Sequence, residues 1–171
     1  MTRLSIAVLL ALVASPPAPG HAQSPLRVAA GVGPYRVDDV AGTPLVPMVG
    51  LFKPVGRQAV IGANLGLVKS AGFYGLDALT LDAHLGVEKT SRRLTLTGTL
   101  GPSAMAGGDG DGTPYLSAGA HATAGLTWWF TDRVGLWAAT TGRLWFTTGN
   151  SRFSPGAMVG LSFRGARSGR T

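Results

Sequence analysis

Five polar residues in the chain have the types that do acid–base or ligand chemistry: Asn64, Asp82, His84, His121 and Arg143. Asp82 and His84 stand two apart in Leu79-Thr-Leu-Asp-Ala-His-Leu-Gly-Val87, so in an extended chain both point to one face. Asn64 and His121 fall on the polar parity of their own alternating segments. A carboxylate beside an imidazole can move protons or hold a small ligand. The same groups can also bond to one another and fill a polar interior. No serine stands in a G-x-S-x-G elbow, no hydrolase constellation accompanies these residues, and no catalytic residue is assigned. Asp109-Gly-Asp-Gly112 has the composition of a calcium-loop fragment but lacks the further oxygen ligands and the distal Glu, so it reads as a loop. Asp38-Asp39 would share a divalent ion with it only if the two loops met. With no cysteine there is no thiolate metal site and no disulfide framework. No metal and no cofactor is implied.

The elements that would position these residues have a period of two. Tyr115–Phe130 places Leu116, Ala118, Ala120, Ala122, Ala124, Leu126, Trp128 and Phe130 on one parity. Tyr115, Ser117, Gly119, His121, Thr123, Gly125, Thr127 and Trp129 lie on the other. The polar turn Thr131-Asp132-Arg133 joins it to a second alternating segment that ends near Phe146. Leu76–Lys89 sets Leu79, Leu81, Leu85 and Val87 against Thr80, Asp82, His84, Gly86 and Glu88. Leu94–Met105 sets Leu94, Leu96 and Leu100 against Thr95, Thr97 and Thr99. Further strands are expected at about Leu26–Val37, Pro44–Lys53, Gln58–Val68 and Phe153–Phe163. Pro47 fits its strand worst, because it cannot donate to a ladder. Eight strands result, with longer or glycine-rich connections alternating with short basic ones.

The first 22 residues read as a cleaved secretory signal. Arg3 is followed by the apolar run Ile6–Ala14, then by Pro16-Pro-Ala-Pro-Gly20 and the small residues of Gly20-His21-Ala22. Residues 23–163 then form one domain, and 164–171 a short basic tail. Formal net charge is +7, or +6 without Arg3. Secretion and the lack of a clustered basic patch exclude a nucleic-acid partner, and basic groups at strand ends suit anionic lipid head groups. Abundant Gly, sparse charge and dispersed hydropathy suit a transmembrane barrel, in which every second residue meets lipid. An even number of antiparallel strands closes such a sheet without an edge. A soluble secreted barrel would instead put the leucines inside. The membrane reading requires Leu79, Leu81, Leu85, Leu94, Leu96 and Leu100 to point outward.

Trp128-Trp-Phe-Thr-Asp-Arg-Val-Gly-Leu136 resembles the aromatic–x–aromatic–Thr-Asp periplasmic turn of small bacterial outer-membrane β-barrels of the OmpA/OmpW type. Gly156-Ala-Met-Val-Gly-Leu-Ser-Phe163 resembles their last strand. The resemblance implies an all-β fold, an eight-stranded antiparallel up-and-down transmembrane barrel in a cell outer membrane. It implies outer-membrane lipids and lipopolysaccharide as surroundings, and the barrel-assembly machinery as a partner in biogenesis. Trp128, Trp129, Phe130 and Phe163 are expected at the lipid interface. Asn64, Asp82, His84, His121 and Arg143 are expected in the lumen, as a polar plug. Trp137, Arg143 and Trp145 share a parity: either they face lipid, with the tryptophans in the two aromatic girdles and Arg143 snorkelling outward, or they face the lumen, where Arg143 is placed among the polar candidates. Gly62, Gly66, Gly86, Gly119 and Gly125 are the positions where a water path would open. The function this supports is structural or surface-interacting. The alternatives are a narrow channel or ligand-binding barrel, or a lipid-modifying enzyme.

Overall fold

Alternating side chains commit each segment to a pleated strand, and the computed structural model shows how the strands close. It describes residues 26–36, 45–55, 58–69, 77–108, 114–147 and 150–165. The strands are β1 (Arg27–Pro34), β2 (Leu45–Val55), β3 (Ala59–Lys69), β4 (Asp77–Ser91), β5 (Leu94–Gly108), β6 (Pro114–Trp129), β7 (Val134–Thr147) and β8 (Asn150–Arg164). Each pairs antiparallel with its neighbours in sequence, and β8 pairs with β1, so the sheet is a closed barrel. The described residues contain no helix. The expected signal segment lies outside them. Arg164, read from the sequence as the start of the tail, is the last residue of β8.

The ladder is staggered. Lys53 opposes Ile61, and the register runs on through Leu85, Leu100, Ala122, Gly142 and Pro155. Pro155 accepts a hydrogen bond from the amide of Arg36 at 3.1 Å, near the end of β1 opposite to Arg27, which opposes Phe52 beside Lys53. Such stagger tilts the strands by about 40° and leaves an eight-stranded interior that side chains can fill. Pro47 and Pro102 each sit beside a break in one of their two ladders, whereas Pro155 lies in the continuous β7–β8 register. Pro47 pairs with Val32 on β1, and the β2–β3 register begins one residue later at Met48. Pro102 lies in the gap between Asp82↔Ser103 and Leu85↔Leu100. A residue without an N–H loses nothing at such positions.

The apolar parity faces outward. Leu79, Leu81, Leu85, Leu94, Leu96 and Leu100 are all exposed, with Leu85 at 61% and Leu100 at 63%. Leu65, Leu67, Leu116, Leu126, Leu136, Leu144, Val159 and Leu161 continue this surface around the barrel. Inside lie two apolar clusters. One holds Met48, Phe52, Val60, Trp137 and Met158; the other holds Tyr35, Val46, Val68, Met105 and Trp145. The Trp137 ring occupies space that glycines leave open. A β-carbon on Gly31 would stand 3.1 Å from it, and one on Gly125 3.4 Å. The indole of Trp145 likewise lies 3.0 Å from the β-carbon position of Gly119. These glycines make room for the tryptophan rings.

Candidate functional site

Between the two apolar clusters, β4, β5, β6 and β7 each deliver polar side chains to one point. Arg143 Nε donates to Asp82 Oδ1 at 3.1 Å, and its Nη2 to Asp82 Oδ2 at 2.5 Å. Ser103 Oγ donates to Asp82 Oδ1 at 2.7 Å. His121 Nδ1 is 3.0 Å from Ser103 Oγ, and its Nε2 is 2.9 Å from His84 Nδ1. One neutral tautomer for each imidazole makes a directed chain: His84 donates to His121, His121 to Ser103, and Ser103 to Asp82. Thr99 Oγ1 adds a contact to His84 Nδ1 at 3.1 Å. The chain ends on the carboxylate, whose charge the guanidinium balances. Asp82, His84, Ser103, His121 and Arg143 are all buried.

This arrangement orders protons from His84 to Asp82 and leaves His84 Nε2 buried without a hydrogen-bond partner. The Ser103 proton is held by Asp82, and Asp82 is held by Arg143. On the far side of Arg143, a cavity of about 10 Å³ is lined by Tyr35, Val46, Met48, Thr80, Thr141 and Arg143, among others. That is room for about one water. Arg143 stacks on the ring of Tyr35 at 4.9 Å, and Trp145 Nε1 donates to Tyr35 Oη at 2.8 Å. Among the described residues no group of three His, Cys, Asp or Glu is placed to hold a metal ion. The Asp38-Asp39 and Asp109–Gly112 segments lie outside the described residues.

The structure thus joins four of the five polar residues singled out in the sequence, and Asn64 stands apart. It is 1% exposed, and neither atom of its amide makes a hydrogen bond. A second interior cluster was missed. Arg27 Nη2 donates to Glu88 Oε2 at 2.7 Å and to Thr97 at 3.2 Å, and Nη1 donates to Thr127 at 3.3 Å. The guanidinium also lies 4.4 Å from the Phe52 ring centre. Glu88 shares the parity of Asp82 and His84, and that was the available signal. Its partner is not readable, because which strand faces which across the barrel depends on stagger.

The aromatic collar needs one correction. Trp128, Phe130 and Phe163 point outward at 50%, 46% and 42% exposure, but Trp129 is buried at 3%. Its Nε1 donates to Thr95 at 2.8 Å, and Arg164 stacks on its ring at 3.7 Å. Trp129 lies one residue from Trp128 in a regular strand, so period two forces it inside. Trp137 and Trp145 face inward with Arg143.

An antiparallel eight-stranded closed barrel, apolar outside and polar inside, is the fold of small outer-membrane β-barrel proteins. The similar solved structures are of that kind. Neisserial surface protein A superposes with a TM-score of 0.61 at 12% identity, covering 82% of this chain and 96% of that one. The outer-membrane protein OprG of Pseudomonas aeruginosa gives 0.60 at 10% identity, covering 85% and 98%. Ail, the attachment invasion locus protein of Yersinia pestis, gives 0.59 at 11% identity, covering 85% and 100%. No protein-family model matches the sequence, and no curated protein matches it.

Proposed function

We propose that the chain is an integral outer-membrane β-barrel of a diderm bacterium, exported by its N-terminal segment. Its role is structural or surface-interacting, and its lumen is closed. The carrying observation is the inversion of the usual soluble pattern. Leucines, valines or phenylalanines are exposed on every strand, with Val32 the one on β1, while Arg27, Asp82, Glu88 and Arg143 turn inward. An exposed apolar surface of this extent needs a lipid environment. Interior ion pairs and indole rings fill the space a solute would need. Contacts with other molecules then fall to the end of the barrel opposite the start of β1 and the end of β8, which would meet lipopolysaccharide and the cell surroundings. The strand ending in Phe163-Arg164 is the segment the assembly machinery would read. Cell fractionation tests this reading. The protein should sediment with outer membranes and require detergent for extraction; full recovery in the soluble periplasm would refute it.

A further inference from the structure

The end of the barrel where β1 begins and β8 ends has a distinct charge. The β4–β5 turn is Arg92-Arg93, the β6–β7 turn is Thr131-Asp132-Arg133, and Lys89 projects nearby; Lys89, Arg92, Arg93 and Arg133 are exposed. Among the described residues of these turns, Asp132 is the one carboxylate. Of the other carboxylates among the described residues, Asp82 and Glu88 are interior and paired, and Asp77 starts β4 at the opposite end.

The cations are held at one level. The amide of Trp129 donates to the carbonyl of Arg93 at 2.7 Å, and the amide of Arg164 donates to that of Arg133 at 2.8 Å. Directly beside them stands the outward collar, Trp128 and Phe130 with ring centres 5.2 Å apart, and Phe163. Arg92 has φ of 48°, a left-handed conformation that a two-residue hairpin normally gives to Gly, Asn or Asp. An arginine there is a steric cost accepted at the tip of the turn, and such an outlier points to use of the side chain.

From this we infer that Arg92, Arg93 and Arg133 form a phosphate-gripping rim for anionic phospholipid head groups, seated against the Trp128 collar. Rings of this kind settle at the glycerol level of a bilayer, and the adjacent guanidinium groups then stand at the phosphates. Arginine suits this better than lysine, because its planar fork meets two phosphate oxygens at once. An anionic lipid surface attracts each such cation, and the attraction weakens with salt. The inference rests on the outer-membrane reading and names the lipid class that one rim selects.

Trp128 makes this measurable, because Trp129, Trp137 and Trp145 are buried in the interior. Purified protein would be folded into vesicles of neutral phosphatidylcholine, with or without phosphatidylglycerol. Bromine near the head of one lipid or the other quenches Trp128. At equal mole fraction, brominated phosphatidylglycerol should quench several-fold more strongly. The excess should fall in concentrated salt and disappear in R92G/R93S/R133S, which should still insert; the signal itself should vanish in W128F. Equal quenching by both lipids, or an undiminished excess in the triple variant, overturns the rim while insertion stands. Sedimentation with purified cell wall that depends on these arginines, without any lipid preference, also overturns it. Failure to insert into either vesicle brings down the outer-membrane reading itself.

Discussion

Asp82 and Arg143 lie 61 residues apart, on β4 and β7, which share no ladder, yet they meet through two hydrogen bonds inside the barrel. The pair is a strut across the lumen. It also anchors Ser103, and through it the two histidines. Removing one partner leaves a buried charge uncompensated, which costs about 3–5 kcal/mol. Asp82→Asn and Arg143→Gln should each lower stability by that order in urea unfolding from lipid vesicles. The double variant Asp82→Leu/Arg143→Met should recover most of the loss, because an apolar pair of similar volume replaces the ions without leaving either bare. Equal and additive losses in the double variant would show that the two residues do not act as a pair.

Trp137 tests how tightly the interior is filled. Trp137→Ala should cost about 3–5 kcal/mol through the void it leaves. The glycines around it should rank by clearance. An added β-carbon at Gly31 meets the Val159 carbonyl at 2.7 Å and the indole at 3.1 Å, whereas at Gly125 the nearest contact is 3.4 Å. Gly31→Ala should therefore destabilise by about 1–3 kcal/mol, and Gly125→Ala by clearly less. The reverse order in unfolding midpoints would mean that Trp137 is seated differently.

Much of the fold was legible because a barrel strand writes its two faces at alternate positions. Leu79, Leu81 and Leu85 against Thr80, Asp82 and His84 say which residues share a side, and antiparallel closure follows from the turns. Trp129 was misread because three adjacent aromatics were taken as one collar, although parity alone separates Trp129 from Trp128. The Arg27–Glu88 pair was not legible. Its partners are brought together by the stagger of the closed sheet, which period two does not encode. The same limit hid Ser103 as the link between Asp82 and His121.

Asn64 is the polar residue the network leaves out. Its amide is buried and makes no hydrogen bond, so replacing it by an apolar side chain of similar size removes a desolvated group. Asn64→Leu should hold stability constant or raise it by about 1 kcal/mol. A loss of 2 kcal/mol or more, on the order of a broken buried hydrogen bond, would show that the amide is bonded in the folded protein.

The filled lumen predicts that purified protein in planar bilayers gives no reproducible channel steps. Trp137, Trp145 and the Asp82–Arg143 pair are all buried in the barrel interior. Stable steps in the wild type would favour the channel reading. If they occurred, Asp82→Ala and Arg143→Ala should shift ion selectivity, because charges on a narrow wall act at short range.

Whether the leucine surface faces lipid is measured most directly by depth-dependent substitution. Leu85 lies at mid-strand in β4 and pairs with Leu100, while Leu94 begins β5 beside the Arg92-Arg93 turn. Folding free energies of Leu85→Arg and Leu94→Arg would be measured in lipid vesicles. A charge at the bilayer midplane costs about 2–4 kcal/mol, and one near the interface about 0–1 kcal/mol. Leu85→Arg should lose stability severely, and Leu94→Arg should stay near wild type. Equal tolerance of both, with Leu85→Arg folding and staying soluble in buffer without lipid, would contradict a lipid-facing surface.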